Sequence, residues 1–204
     1  MALVLLPDSV IMRIENREGA IPMKKFSVRK MALVGIMAAM VYVTSAYIQI
    51  PIPTAIGNTR LHVGNVMCLL SGLLLGPLYG GLAAGIGSMF FDLLNPAYIT
   101  SAPFTFAFKF FMAWVCAMIA QPRTNDKKWR YILGAAVGAL CYVLLYLGKT
   151  YVEDRFIMGL AADAVWLTVA QKGLVSTVNG IIAAAVSVPL FLALRPVLRR
   201  SNLI

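Results

Sequence analysis

Apolar runs of helical length, broken by short polar stretches, set the pattern of the chain. The first covers about Met31 to Tyr47 and follows the basic lead MKKFSVRK, which begins at Met23. Beyond it comes Ile50-Pro51-Ile52-Pro53, where two prolines exclude a helix interior and force an extended connection. Loop one, through Asn58, Arg60 and His62, leads into HVGNVMCLLSGLLLGPLYGGLAAGIGSMFFDLLNP, residues 62–96. Pro77 divides that stretch into two short apolar halves, Val63 to Leu75 and Leu78 to Leu94, joined by a tight turn. A fourth run spans about Pro103 to Ala120, with Pro103 suited to a helix first turn. The linker Gln121 to Arg130 is polar and basic. A fifth run covers about Tyr131 to Tyr146, a long connection reaches about Ala170, and a sixth run extends from about Gly173 to Leu194.

Seven of the sixteen glycines fall between Gly64 and Gly87. In water each interior glycine costs a helix about 1 kcal/mol relative to alanine. In lipid, small residues four apart, here Gly81 and Gly85, let two backbones approach closely. Composition supports the membrane reading: 60% of residues are hydrophobic and 13% charged, with a mean hydropathy of +0.81, against roughly 45–50% and about 25% in an ordinary globular domain. The chain therefore reads as an all-α integral membrane protein. Its 204 residues, at roughly 20 per span, accommodate about six transmembrane helices and no second soluble domain. Residues 1–22 read as a loosely ordered extension without a cleavable signal pattern, and Met23 as an alternative start. Residues 23–198 make the membrane domain and 199–204 a basic cytoplasmic tail. Cys68, Cys116 and Cys141 stand singly in apolar runs and read as small core residues.

Charge then orients the spans. With the N-terminus inside, thirteen of the eighteen Lys and Arg residues fall on the cytoplasmic side, as the positive-inside rule requires. Both termini are thus expected to be cytoplasmic, and the net charge of +10 follows from topology; it is not a nucleic-acid signal. The same basic residues would also suit anionic lipid.

Ionisable groups within spans are costly and face a cavity or a partner. Asp92, at the end of the third span and close to Asn95, Lys109 in the fourth and Lys172 at the start of the sixth all fall in the outer half. Lys172, Ser176 and Asn179 share one helix face, as do Thr105 and Lys109. Two readings stand side by side. Asp92 and Lys109 neutralise each other as a structural pair, or they join Asn179, Lys172, Asn95, Thr105, Tyr98 and Trp166 in an outward-facing pocket for a small polar molecule. Arg60 and His62 reach a ligand from loop one, or belong to a solvated loop, and Asn65 is a further substrate-binding candidate. The single histidine has no ligating neighbours at metal spacing. Tyr142 and Tyr146, four apart, read as packing in preference to a stacking platform. The chain has no P-loop motif and implies no cofactor.

With Gly35-x-x-x-Ala39 in the first helix, HVGNVMCLLSGLLLGPLYGGLAAGIGSMFFDLL and APFTFAFKF, the chain resembles the substrate-binding S component of energy-coupling factor (ECF) vitamin transporters, most nearly the riboflavin-type group. The resemblance covers about residues 24–198 and is most specific in the glycine-rich block. It implies a vitamin bound at the outer side of a prokaryotic plasma membrane, riboflavin first, then pantothenate or a pyridoxine-like compound. It further implies docking on a transmembrane coupling subunit that carries two ATPase subunits. The family's helix-one small-residue motif maps onto Gly35 and Ala39, with Ala32 and Ala38 nearby and glycine in place of the first alanine. From the residues alone, a solute-binding chain that needs an external motor agrees with this. A small membrane enzyme using Asp92 or Lys109 in acid–base chemistry and a ligand-free assembly protein are the other readings.

Overall fold

The computed structural model describes residues 28–55, 58–121 and 127–200, apart from the side chain of residue 199. The expected N-terminal extension and the start at Met23 lie outside the described residues, as do 201–204 and the middle of the basic linker. The elements are α1 (Val28–Tyr47), β1 (Gln49–Pro53), β2 (Asn58–His62), α2 (Gly64–Leu93), a 3-10 turn (Ile99–Ser101), α3 (Ala102–Ala120), α4 (Lys128–Val152), a π-helical turn (Glu153–Ile157) and α5 (Ala162–Arg200). Five described helical segments are long and apolar enough to cross a membrane. The chain is an all-α membrane protein with one small strand pair.

Within α2 the helix breaks at Gly76, whose φ of 83° belongs to the left-handed region that glycine alone enters cheaply. The break reverses the chain. Ser71 donates its hydroxyl hydrogen to the Gly80 carbonyl at 2.9 Å, and Cys68 Sγ lies 3.6 Å from Ser88 Oγ. Twenty residues of unbroken helix would separate the last two by about 30 Å, so α2 is a helical hairpin. A methyl group on Gly80 would collide with the Ser71 carbonyl, which is why the closest approach falls on small residues. The hairpin holds the centre, packing on α1, α3 and α5, with Leu69, Leu70, Ala83, Ala84, Met112, Ala113 and Cys116 in the core. Ile36, Leu140, Leu144, Leu174 and Ile181 point outward, giving the apolar exterior that a bilayer solvates.

Three sequence expectations are corrected. Loop one is a β-hairpin with Pro51 opposite Arg60 and Pro53 opposite Asn58. Val63 donates its N–H to Ile48 O at 3.2 Å, which makes the Ile48, Ile50 and Ile52 positions the hydrogen-bonded ones and leaves both prolines where no ladder donor is needed. Next, the fifth helix does not end near Tyr146 but continues to Val152. Finally, the sixth begins at Ala162 instead of Gly173, so the expected long connection is mostly helix.

Candidate functional site

Polar residues at one end of the helix bundle surround a cavity of about 400 Å³. β2 covers it, and α2, α3, α4 and α5 each supply a wall. The position of β2 is fixed by side chains from two helices. Asn179 Oδ1 accepts the His62 backbone N–H at 3.0 Å, and Asn179 Nδ2 donates to the Arg60 carbonyl at 2.8 Å. Gln171 Oε1 accepts the Ala55 N–H at 2.8 Å. From α2, Asp92 Oδ1 accepts from Arg60 Nη2 at 3.2 Å.

Arg60 is the hub of the α2 wall. Its guanidinium lies 3.9 Å from the Phe91 ring centroid and 4.5 Å from that of Tyr98, so two aromatic faces and one carboxylate hold it. Lys109, buried at 3% exposure, donates to Asn65 Oδ1 and lies 3.5 Å from the Tyr142 ring centroid. Of the two readings of Asp92 and Lys109, the structural pair between them is not found: the described ion pair of Asp92 is with Arg60. Lys109 is placed by an amide and an aromatic face, which leaves its charge without a contacting acid among the described residues.

Along α4, Tyr142, Tyr146, Lys149 and Thr150 form a helical stripe into the cavity, continued by Glu153 and Asp154 of the π turn. The Tyr142 and Tyr146 rings stack with centroids 5.9 Å apart. Lys149 donates to Ser101 Oγ at 3.0 Å and to Glu153 Oε2 at 2.5 Å. Opposite them, Lys172, Ser176 and Asn179 line the α5 wall. His62 closes the β2 side with its Nδ1 buried and unpartnered among the described residues. Burial first, then the Lys109 and Arg60 charges, hold its pKa well below the usual 6.5.

Of the residues singled out in the sequence, Arg60, His62, Asp92, Tyr98, Thr105, Lys109, Lys172 and Asn179 line this one cavity. Three do not. Asn65 is fully buried behind Lys109. Asn95 bends the loop by accepting the Ala97 N–H at 3.1 Å. Trp166 is 61% exposed, its ring 5.5 Å from Tyr151 on the outside of the bundle. Sequence reading missed the α4 stripe, the Phe91, Phe104 and Phe108 rings, and Ser45 and Ser88. The stripe was legible as polar and aromatic residues at spacings of four, three and one, had the helix been carried past Gly148.

The four small residues of α1 divide. Ala38 is buried, its carbonyl under Gly87 of the hairpin, whereas Ala32, Gly35 and Ala39 are exposed and a side chain at Gly35 would meet open space. The two ends of the bundle also differ in charge. Arg29 and Lys30 open α1, Lys127, Lys128 and Arg130 open α4, and Arg195 and Arg200 close α5, at the end where Lys30 lies over Tyr79 and Arg130 donates to Ile119 O. Every described acid, Asp92, Glu153, Asp154 and Asp163, belongs to the cavity end.

The family model described as "ECF-type riboflavin transporter, S component" matches residues 25–196 of the chain. A protein of Pyrococcus woesei, described as "Uncharacterized protein in gap 3'region", is 35% identical over 112 residues, which make up 55% of this chain and 72% of that protein.

Proposed function

The chain belongs to the family of S components of ECF-type riboflavin transporters, and on that premise we propose that it is the binding subunit for riboflavin itself. The supporting observation is the cavity of about 400 Å³, which brings the aromatic faces of Phe91, Tyr98, Phe104 and Tyr142 together with the charged groups of Arg60, Asp92, Lys109 and Lys172. Its size falls within the roughly 300–1,000 Å³ of small-molecule sites. A flat ring system finds aromatic walls there, and its polar edges find donors and an acceptor.

Topology gives that binding a direction. Because α2 reverses at Gly76, its two ends share one side of the bundle, so α1 and α3 through α5 bring both ends of the described chain to the side opposite the cavity. Counting the hairpin as two spans gives six helices, and the basic end is then cytoplasmic. The cavity opens outward on a prokaryotic plasma membrane. The protein carries no P-loop motif, so import needs a coupling subunit and its two ATPases, docked on the exposed Ala32, Gly35 and Ala39 face of α1.

Riboflavin fluorescence titrated against the purified protein tests the substrate, together with a mass spectrum of whatever small molecule the protein carries from the membrane. Saturable one-to-one quenching is expected. Pantothenate or a pyridoxine-like compound in the mass spectrum, with no quenching, would overturn the riboflavin reading and leave the family membership intact.

A further inference from the structure

The α4–α5 wall carries a charged arrangement that the fold does not explain. Asp154 is 2% exposed, yet its Oδ2 has no hydrogen-bond partner among the described residues. A buried acceptor left without a donor is costly, and more so when it is charged. No ion pair joins Asp154 to Lys172 across this wall; the described ion pairs are Arg60 with Asp92 and Lys149 with Glu153. Both side chains line the cavity, with the hydroxyl-bearing Thr150 and Ser176 beside them. Asp154 is a carboxylate in want of a donor, set opposite a cation in want of an acceptor.

We propose that Asp154 and Lys172 form a clamp for the hydroxyl groups of the ligand's flexible chain, with Asp154 accepting a hydroxyl hydrogen and Lys172 donating to a hydroxyl oxygen. The clamp selects neutral groups. A ligand ammonium would satisfy Asp154 but be repelled by Lys172 and Lys149. A carboxylate or phosphate would satisfy Lys172 but be repelled by Asp154 and Glu153. A hydroxyl both donates and accepts, so it completes both partners without adding charge to a desolvated wall. The flat part of the ligand then lies at the other end of the cavity, where Arg60 stacks on Phe91 and Tyr98 and Lys109 faces Tyr142. The identity of the hydroxyl-bearing ligand rests on the riboflavin reading; the polarity of the wall does not.

Asp154→Asn tests the clamp with two probes, riboflavin and lumiflavin, which keeps the flavin ring but lacks the hydroxyl chain. Binding of both by fluorescence quenching, and the melting temperature of the ligand-free protein, are measured for the wild type and the variant. The expected result is a loss of riboflavin affinity of at least tenfold, unchanged lumiflavin affinity and a ligand-free melting temperature equal to or above wild type. Equal weakening of both flavins would place the ring, and not the chain, at Asp154 and overturn the clamp. A fall in the ligand-free melting temperature would make Asp154 a structural acid and overturn it as well. Riboflavin binding retained in the variant sinks the clamp alone, whereas no flavin binding by the wild type sinks the riboflavin reading and the hydroxyl-chain assignment with it.

Discussion

Arg60 and Asp92 are joined at 3.2 Å across 32 residues of chain, tying the second strand of the β-hairpin to the end of the hairpin helix. The Asp92 side chain is buried and that of Arg60 nearly so, and removing one partner of such a pair strands the other charge. In Asp92→Ala the guanidinium would stay between the Phe91 and Tyr98 rings without its carboxylate, and the cavity would lose an acceptor. Ligand affinity should fall at least tenfold, about 1.4 kcal/mol, in a protein that still elutes as a single species. Unchanged affinity with aggregation would make the pair purely structural.

Asn179 spends its amide on backbone. It accepts from His62 N–H and donates to the Arg60 carbonyl, so it acts on the ligand through the position of β2. In Asn179→Leu both backbone groups lose their side-chain partner, each an unmade bond of about 1–3 kcal/mol if it stays buried. Amide exchange across residues 49–62 should quicken, and bound ligand should dissociate faster with little change in association rate. Exchange at the wild-type rate would show that β2 is held without Asn179.

His62 should make the stability of the empty protein depend on pH. Burial and the nearby Lys109 and Arg60 charges depress its pKa in the fold, so as pH falls the unfolded chain takes up this proton first. The stabilisation is complete above about pH 6.5 and is lost as pH drops below that towards the folded value. Between about pH 7.5 and about pH 5.5 the melting temperature of the ligand-free protein should decline, and His62→Gln should flatten that decline. An identical slope in the variant would assign the effect to other groups.

Much of this arrangement was legible in the sequence where one residue type has one physical use. The glycines between Gly64 and Gly87 announced close helix packing, and Asp92, Lys109 and Lys172, too costly to leave in lipid, announced the cavity that they do line. What stayed hidden depended on partners distant in sequence. Ile50-Pro51-Ile52-Pro53 reads as an extended connection until Asn58-Thr59-Arg60-Leu61-His62 is seen to pair with it. The end of α4 near Tyr146 follows the apolar run alone, yet Lys149 continues the stripe and finds Glu153 one turn on. Trp166 looked like a ligand contact by type alone, and only packing against Tyr151 shows that it belongs to the outer surface.

Docking on a coupling subunit should be separable from binding, because the exposed small residues of α1 and the cavity belong to different parts of the molecule. Gly35 has open space where a side chain would go, and Ala39 is exposed, so leucine at both positions adds bulk outward without disturbing the core. Ala38 is the internal control: it is buried with its carbonyl against Gly87, and Ala38→Leu should overpack that contact at a cost of about 1–3 kcal/mol. In lipid, bulk on a small-residue face keeps two helices from approaching. The Gly35→Leu, Ala39→Leu double variant should therefore bind riboflavin within a few-fold of wild type, keep its melting temperature, and yet lose vitamin uptake in cells and retention of the coupling and ATPase subunits in pull-downs. Ala38→Leu should instead lower the melting temperature. Full uptake by the double variant would remove this face of α1 as the docking surface, and uptake by the wild-type protein in cells lacking any coupling subunit would show that it does not depend on an external motor.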